Sequence, residues 1–119
     1  MNNRFGLLDT EIETIIEALN KHPKVERAYI FGSRAKGNFK NGSDVDIALK
    51  GIGLDFDTLS KISYFLNEET NMPYKFDVLI YEGISEPILQ KHIDRVGIEF
   101  YNRLKETSFC TNRSLKAEK

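Results

Sequence analysis

The sequence has very little cysteine and no surplus of charge of either sign. Its single cysteine, Cys110, cannot form an internal disulfide or, by itself, a zinc cluster. Lys and Arg number 17 and Asp and Glu 18, so the net charge of −1 lacks the positive excess of a generic nucleic-acid-binding protein. No apolar run approaches the roughly 20 residues of a membrane helix, and the first six residues do not suit a signal peptide. We therefore expect a soluble, cytoplasmic protein that binds neither membranes nor nucleic acid in general.

The sequence also lacks internal repeats and any linker that would separate two cores. Its 119 residues, 40% of them hydrophobic, predict one globular domain. Apolar residues become scarce after position 102. We therefore predict a folded domain over residues 1–102 and a polar, flexible tail over residues 103–119.

Hydrophobic periodicity predicts helices that alternate with strands. In chain order we expect a helix over 9–21, a strand over 25–31, a loop over 32–43, a strand over 44–50, a helix over 55–68, a strand over 76–81, a helix that ends at Gly97 and an edge strand over 98–101. This order predicts an α/β fold with a small β-sheet flanked by helices. The sheet is expected to be mixed, because the 32–43 connection is shorter than an ordinary crossover helix with its loops.

Two carboxylates stand two positions apart in the second predicted strand. Side chains alternate along a strand, so Asp44 and Asp46 point to one face while Val45 and Ile47 point to the other. Two converging carboxylates repel each other unless one is protonated or a cation lies between them. Mg²⁺ suits this arrangement, since it prefers oxygen ligands and shares them with substrate phosphates. An Asp-x-Asp pair alone is common, however, and does not by itself indicate a metal site.

A third carboxylate, Asp77, lies in the strand predicted over 76–81, where Phe76, Val78, Leu79 and Ile80 are strongly apolar. It could be an edge-strand residue that simply faces water. Such local conflicts also concentrate at functional sites, and pairing of this strand with strand 44–50 would bring Asp77 to the same cluster. The three carboxylates could then hold a pair of Mg²⁺ ions, and Asp77 could accept the proton of an attacking hydroxyl.

The loop between the first two strands begins with Gly32 and Ser33. Glycine allows a phosphate to approach the backbone, and a serine that begins a helical turn offers its hydroxyl and backbone N–H groups. Arg34 and Lys36 add positive charge. The Walker A pattern is absent, and a polar turn between two strands is the simpler interpretation of this loop taken alone.

Taken together, these segments resemble the signature of the DNA polymerase β-like nucleotidyltransferase superfamily, in which Gly-Ser is followed by an Asp-x-Asp pair. The stretches Phe-Gly-Ser-Arg-Ala-Lys-Gly (31–37) and Gly-Ser-Asp-Val-Asp-Ile-Ala (42–48) are similar to the minimal nucleotidyltransferase (MNT) group, which includes the MntA-type antitoxins. Lys-Phe-Asp-Val-Leu-Ile (75–80) matches the strand that carries the third carboxylate of the family. The resemblance covers about residues 9–101, and Lys36 stands where arginine is common.

The resemblance implies an enzyme that binds ATP with Mg²⁺ and transfers AMP to an acceptor hydroxyl. On the matching positions it implies a triphosphate site at Gly32 and Ser33 and metal ligands at Asp44, Asp46 and Asp77. Members of the group are paired with a HEPN-domain ribonuclease toxin and add AMP to one of its tyrosines, which silences it. The resemblance therefore implies an antitoxin with a HEPN partner.

Two other functions remain open. The acceptor could be a small hydroxylated compound, as in the aminoglycoside nucleotidyltransferases, although the chain has no second domain to bind one. Alternatively, the protein could be an antitoxin that inhibits by contact alone, with a nucleotide site that no longer acts. The sequence does not identify the acceptor or the preferred base.

Overall fold

The structure, a computed structural model, describes residues 3–40 and 42–103. The tail predicted over 103–119 lies outside the described residues, except for Arg103. Within these ranges the predicted α/β fold, a small mixed sheet flanked by helices, is confirmed. None of the helices described is both long enough and apolar enough to cross a bilayer.

The helices and strands follow the predicted order, with a short hairpin added before the first helix. They are β1 (Asn3–Arg4), β2 (Leu7–Leu8), α1 (Asp9–Asn20), β3 (Arg27–Phe31), α2 (Ser33–Lys36), β4 (Val45–Lys50), α3 (Phe56–Tyr64), a π-helix (Phe65–Glu69), β5 (Phe76–Ile80), a 3₁₀ turn (Tyr81–Gly83), α4 (Pro87–Val96) and β6 (Ile98–Asn102). The predicted helix over 55–68 is thus divided into α3 and the π-helix that continues it.

The main sheet has the strand order β5-β4-β3-β6. β4 runs parallel to β5, whereas β3 is antiparallel to both β4 and β6. Among the described residues of the connection from β3 to β4, the only helix is the four-residue α2, which is too short for a crossover. The connection from β4 to β5 contains α3 and the π-helix, and this crossover allows the parallel pairing.

Both faces of the sheet are partly covered, which decides where the polar residues of β4 can lie. Val45, Ile47 and Leu49 are buried in the larger core, together with residues of α1 and α3. Asp46 projects from the opposite face, which α4 covers further along through the buried Ile93. Asp46, near the start of β4, therefore lies on the face that α4 covers, but α4 does not enclose it and it stays half-buried.

Candidate active site

The predicted carboxylates lie at one end of the sheet. Asp46 is in register with Phe31, the last residue of β3, on one side and with Asp77 of β5 on the other. Register partners project from the same face, so Asp46 and Asp77 are neighbours there. Asp44 directly precedes β4. The fold therefore places the two carboxyl-bearing segments side by side, as the predicted site requires.

The surroundings of Asp46 change the pKa of its carboxyl. Its side chain is half-buried, and the pKa of its carboxyl is raised to about 6. Burial is the largest cause, followed by the negative charges of Asp77 and then Asp44, while the positive charge of Arg34 acts in the opposite direction. Asp46 therefore interacts with both other aspartates, and a cation beside it would relieve this repulsion.

The side chains of Asp44, Asp46 and Asp77 do not form a metal-binding site in the conformation that the structure shows. In the described ranges, no group of three or more acidic, histidine or cysteine side chains is arranged to hold a metal ion. Asp44 and Asp77 are exposed, so each can change rotamer without disturbing the core. The ligation of a metal by all three carboxylates stays a prediction.

Replacing Asp46 with asparagine is expected to stabilise the metal-free protein by about 1 kcal/mol at pH 7.5, after allowance for the solvent exposure of the carboxylate. The pKa of Asp46 is raised in the fold, so ionised Asp46 disfavours folding. The wild type should therefore gain stability as the pH falls from about 6 to about 4, and its difference from the Asp46→Asn variant should disappear over that window. Urea unfolding with a chelator at several pH values measures this difference. A variant less stable than wild type at pH 7.5 would contradict it.

The turn at the end of β3 fits closely against Asp46. Gly32 has φ +75°, a region that other residues rarely adopt, and a Cβ added there would overlap Oδ2 of Asp46. The sequence predicted that glycine would allow close approach of a phosphate. The structure adds that the side chain of Asp46 already occupies the space beside this glycine.

Ser33 begins the predicted helical turn, which the structure confirms as α2. This helix is closed by hydrogen bonds from Lys36 N to Gly32 O and from Gly37 N to Ser33 O, of 3.2 and 2.9 Å. The backbone N–H groups at its start have no partners within the helix. Ser33 is half-buried and Lys36 is exposed. Their contacts with a nucleotide remain predictions.

Arg34 has a structural role that the sequence did not indicate. Its side chain is only 3% exposed, and its guanidinium lies over the rings of Phe39 and Tyr74, with its central carbon 5.0 and 4.9 Å from their centres. Nη1 donates to Phe5 O at 2.8 Å, while Nη2 and Nε donate to Ser43 O at 2.8 and 3.2 Å. Arg34 thus fixes the residue before Asp44, and a contact between Arg34 and the nucleotide stays a prediction.

Replacing Arg34 with lysine is expected to lower the free energy of unfolding by about 2 kcal/mol, because lysine keeps the charge but lacks the planar fork that reaches both carbonyls and stacks on the two rings. Lys36→Met, a substitution of the exposed cation two residues later, is the control and should change stability by less than about 0.5 kcal/mol. Urea denaturation of the two variants measures the contrast. Equal stabilities would show that the buried fork of Arg34 contributes nothing.

Sequence reasoning missed two parts of this region. Phe5 accepts from Arg34 through a hairpin of two-residue strands, which are too short to give a periodic signal. Asn67 hydrogen-bonds the backbone of Phe76, the residue before Asp77. The only sequence signal for Asn67 is a polar residue directly after Phe65 and Leu66 in a predicted helix, which does not specify its partner.

Comparison with known protein families gives a match over most of the chain. Residues 13–106 match the family described as Polymerase beta, Nucleotidyltransferase. This range includes the Gly32 turn and all three aspartates. No curated protein matches the sequence.

Several solved structures share the fold. A chain from the tri-AMPylated Shewanella oneidensis HEPN toxin in complex with MNT antitoxin has a TM-score of 0.61 and 17% identity, over 90% of this chain and 82% of that one. A toxin-antitoxin structure with AMP-PNP gives a TM-score of 0.63 and 18% identity, over 92% of both chains. The MntA-HepT toxin-antitoxin gives 0.62 and 18%, over 86% of this chain and 79% of that one. At these identities the likeness establishes the fold.

Proposed function

The chain belongs to the polymerase beta nucleotidyltransferase family, and on that basis we propose that it transfers AMP from ATP, in the cytoplasm, to a hydroxyl group of a protein partner. The strongest support for the proposed AMP transfer is the register of Asp46 with Asp77, next to the turn at Gly32. It places two carboxylates beside a backbone turn of the kind that approaches phosphates.

Asp44, Asp46 and Asp77 are the residues that would hold Mg²⁺. They fit a hard divalent cation because they offer only oxygen ligands, and because burial, followed by the negative charges of Asp77 and Asp44, raises the pKa of Asp46. When bound, Mg²⁺ supplies positive charge that offsets both this repulsion and the charge of the triphosphate. The free carboxylates cannot supply that charge themselves.

The proposed reaction is a displacement at the α-phosphorus of ATP. The acceptor oxygen forms a bond to this phosphorus, the bond from the phosphorus to the oxygen that leads to the β-phosphate breaks, and pyrophosphate leaves. Asp77 is exposed at the start of its strand, where it can accept the proton of the acceptor hydroxyl. The backbone at Gly32 and Ser33 would bind the triphosphate, and the charge of Lys36 would lie nearby.

The proposed partner is a HEPN-domain toxin, and the acceptor is a tyrosine of that toxin. Two observations support this proposal. The sequence resembles the MNT group, and one structure with the same fold contains a tri-AMPylated HEPN toxin with its MNT antitoxin.

Co-expression with a HEPN-domain protein from the neighbouring gene tests the proposal. We expect the intact mass of that partner to increase by whole AMP groups, mapped to tyrosine by peptide mass spectrometry, and its ribonuclease activity to disappear. An inhibited but unmodified partner would favour inhibition by contact alone. AMP transfer to small hydroxylated compounds, with the partner untouched, would favour the other alternative.

A further inference from the structure

We propose that Asn67 is a positioning residue that holds Asp77 beside Asp46 for metal binding. This inference rests on the proposed function. Asn67 lies in the π-helix, outside the sheet, and its side chain contacts the strand that carries Asp77. Its role follows from its hydrogen bonds to β5, on the side of that strand opposite β4.

In the part of the chain that the structure describes, β5 is an edge strand, with β4 on one side only. On that side the ladder begins with a hydrogen bond from Val45 N to Lys75 O, of 2.9 Å. On the other side the amide of Asn67 takes the place of a neighbouring strand. Oδ1 of Asn67 accepts from Phe76 N at 2.8 Å, and Nδ2 donates to Phe76 O at 2.9 Å. Both polar backbone groups of the residue before Asp77 are thereby fixed.

The amide of Asn67 is itself held in place. Nδ2 also donates to Ser63 O, at 3.1 Å, in the preceding turn. The neighbouring Leu66 is 1% exposed and anchors the π-helix in the core. π-Helical turns are rare and often occur at functional sites. Asn67 therefore connects a helical segment that Leu66 anchors in the core to the first residue of β5.

Such a connection matters because Asp46 and Asp77 repel each other. Repulsion between register partners at a strand start pushes the edge strand away from its neighbour, since the edge strand has no second strand to hold it. The two hydrogen bonds from Asn67 oppose that displacement at the adjoining residue. Groups that orient metal ligands in this way commonly change metal affinity or activity by about 10-fold to 100-fold when they are removed.

The test compares Asn67→Ala with Thr70→Val. Thr70 directly follows the π-helix and donates from Oγ1 to Leu66 O at 2.8 Å, and among the described residues no hydrogen bond joins it to β5. Mn²⁺ binding in the presence of a non-hydrolysable ATP analogue is measured by electron paramagnetic resonance. We expect N67A to raise the dissociation constant for Mn²⁺ about tenfold and T70V to leave it unchanged. In AMP transfer, N67A should lower kcat about tenfold with little change in KM for ATP.

The results of this test distinguish a failure of the inference about Asn67 from a failure of the proposed function. If N67A does not fold, Asn67→Gln carries the same expectation, because it keeps the amide but moves it one carbon further out. A folded Asn67 variant that binds Mn²⁺ as tightly as T70V would overturn the inference alone. A wild-type protein that neither binds Mn²⁺ nor transfers AMP would overturn the proposed function, and this inference with it.

Discussion

Replacement of both Asp44 and Asp46 with asparagine is expected to reduce AMP transfer by about a thousandfold or more and to leave the fold intact. Asparagine keeps the size of each side chain but removes the two negative charges that would hold Mg²⁺. The loss of that positive charge at the phosphates is worth several kcal/mol in the transition state, which corresponds to a factor of at least about 10³. Initial rates of AMP transfer to the partner measure the effect.

The matched control for this variant carries Asp9→Asn and Asp57→Asn. Both are exposed aspartates near the starts of α1 and α3, so the control makes the same change in net charge away from the site. It should keep wild-type activity, with unfolding free energy changed by only about 1 kcal/mol or less. A site variant that neutralises the toxin as well as the wild type does would show that contact, and not chemistry, is the mechanism.

Gly32→Ala is expected to lower AMP transfer by about a hundredfold and the free energy of unfolding by about 2 kcal/mol. The substitution forces a residue with a Cβ into a backbone of φ +75° and ψ −154°, a region almost restricted to glycine, and that Cβ meets Oδ2 of Asp46. Asp46 must then move, and displacement of a catalytic group by about 1 Å costs on the order of 10²-fold in rate. Rates and urea unfolding of the same preparation give both values.

Gly37→Ala adds a Cβ at positive φ without a collision at the site. Gly37 has φ +86° and ψ 3°, the left-handed region, whereas Gly32 has φ +75° and ψ −154°, a region almost restricted to glycine. A Cβ added at Gly37 meets nothing within 4 Å. We therefore expect G37A to lose about 1 kcal/mol of stability from backbone strain and to keep its activity within about twofold, since no group of the site is displaced. Equal activities of G32A and G37A would show that the fit of Asp46 against Gly32 is not important for function.

The fold could be predicted largely from local patterns. Apolar residues repeat along α1 and β4 with the helical and strand periods, and the short 32–43 connection led to the correct prediction of a mixed sheet. The hairpin of β1 and β2 was missed because strands of two residues have no period. The π-helix was missed because its composition continues that of α3.

The candidate site was predictable only in part. The two-residue period places Asp44 and Asp46 on one face, but the register that sets Asp77 beside Asp46 depends on pairing between distant segments. The charge and position of Arg34 also led to the prediction that it contacts phosphate. Its burial against Phe5 and Ser43 depends on tertiary contacts that no local pattern encodes.

The central claim, nucleotidyl transfer at this carboxylate cluster, is tested most directly by the position of a label in ATP. Wild-type protein, Mg²⁺ and the purified HEPN partner are incubated with ATP labelled either at the α-phosphate or at the γ-phosphate. We predict that the partner acquires label from α-labelled ATP only, and that the Asp44→Asn, Asp46→Asn variant transfers this label at least about a thousandfold more slowly. Label from γ-labelled ATP, or no label in a correctly folded partner, would contradict the account.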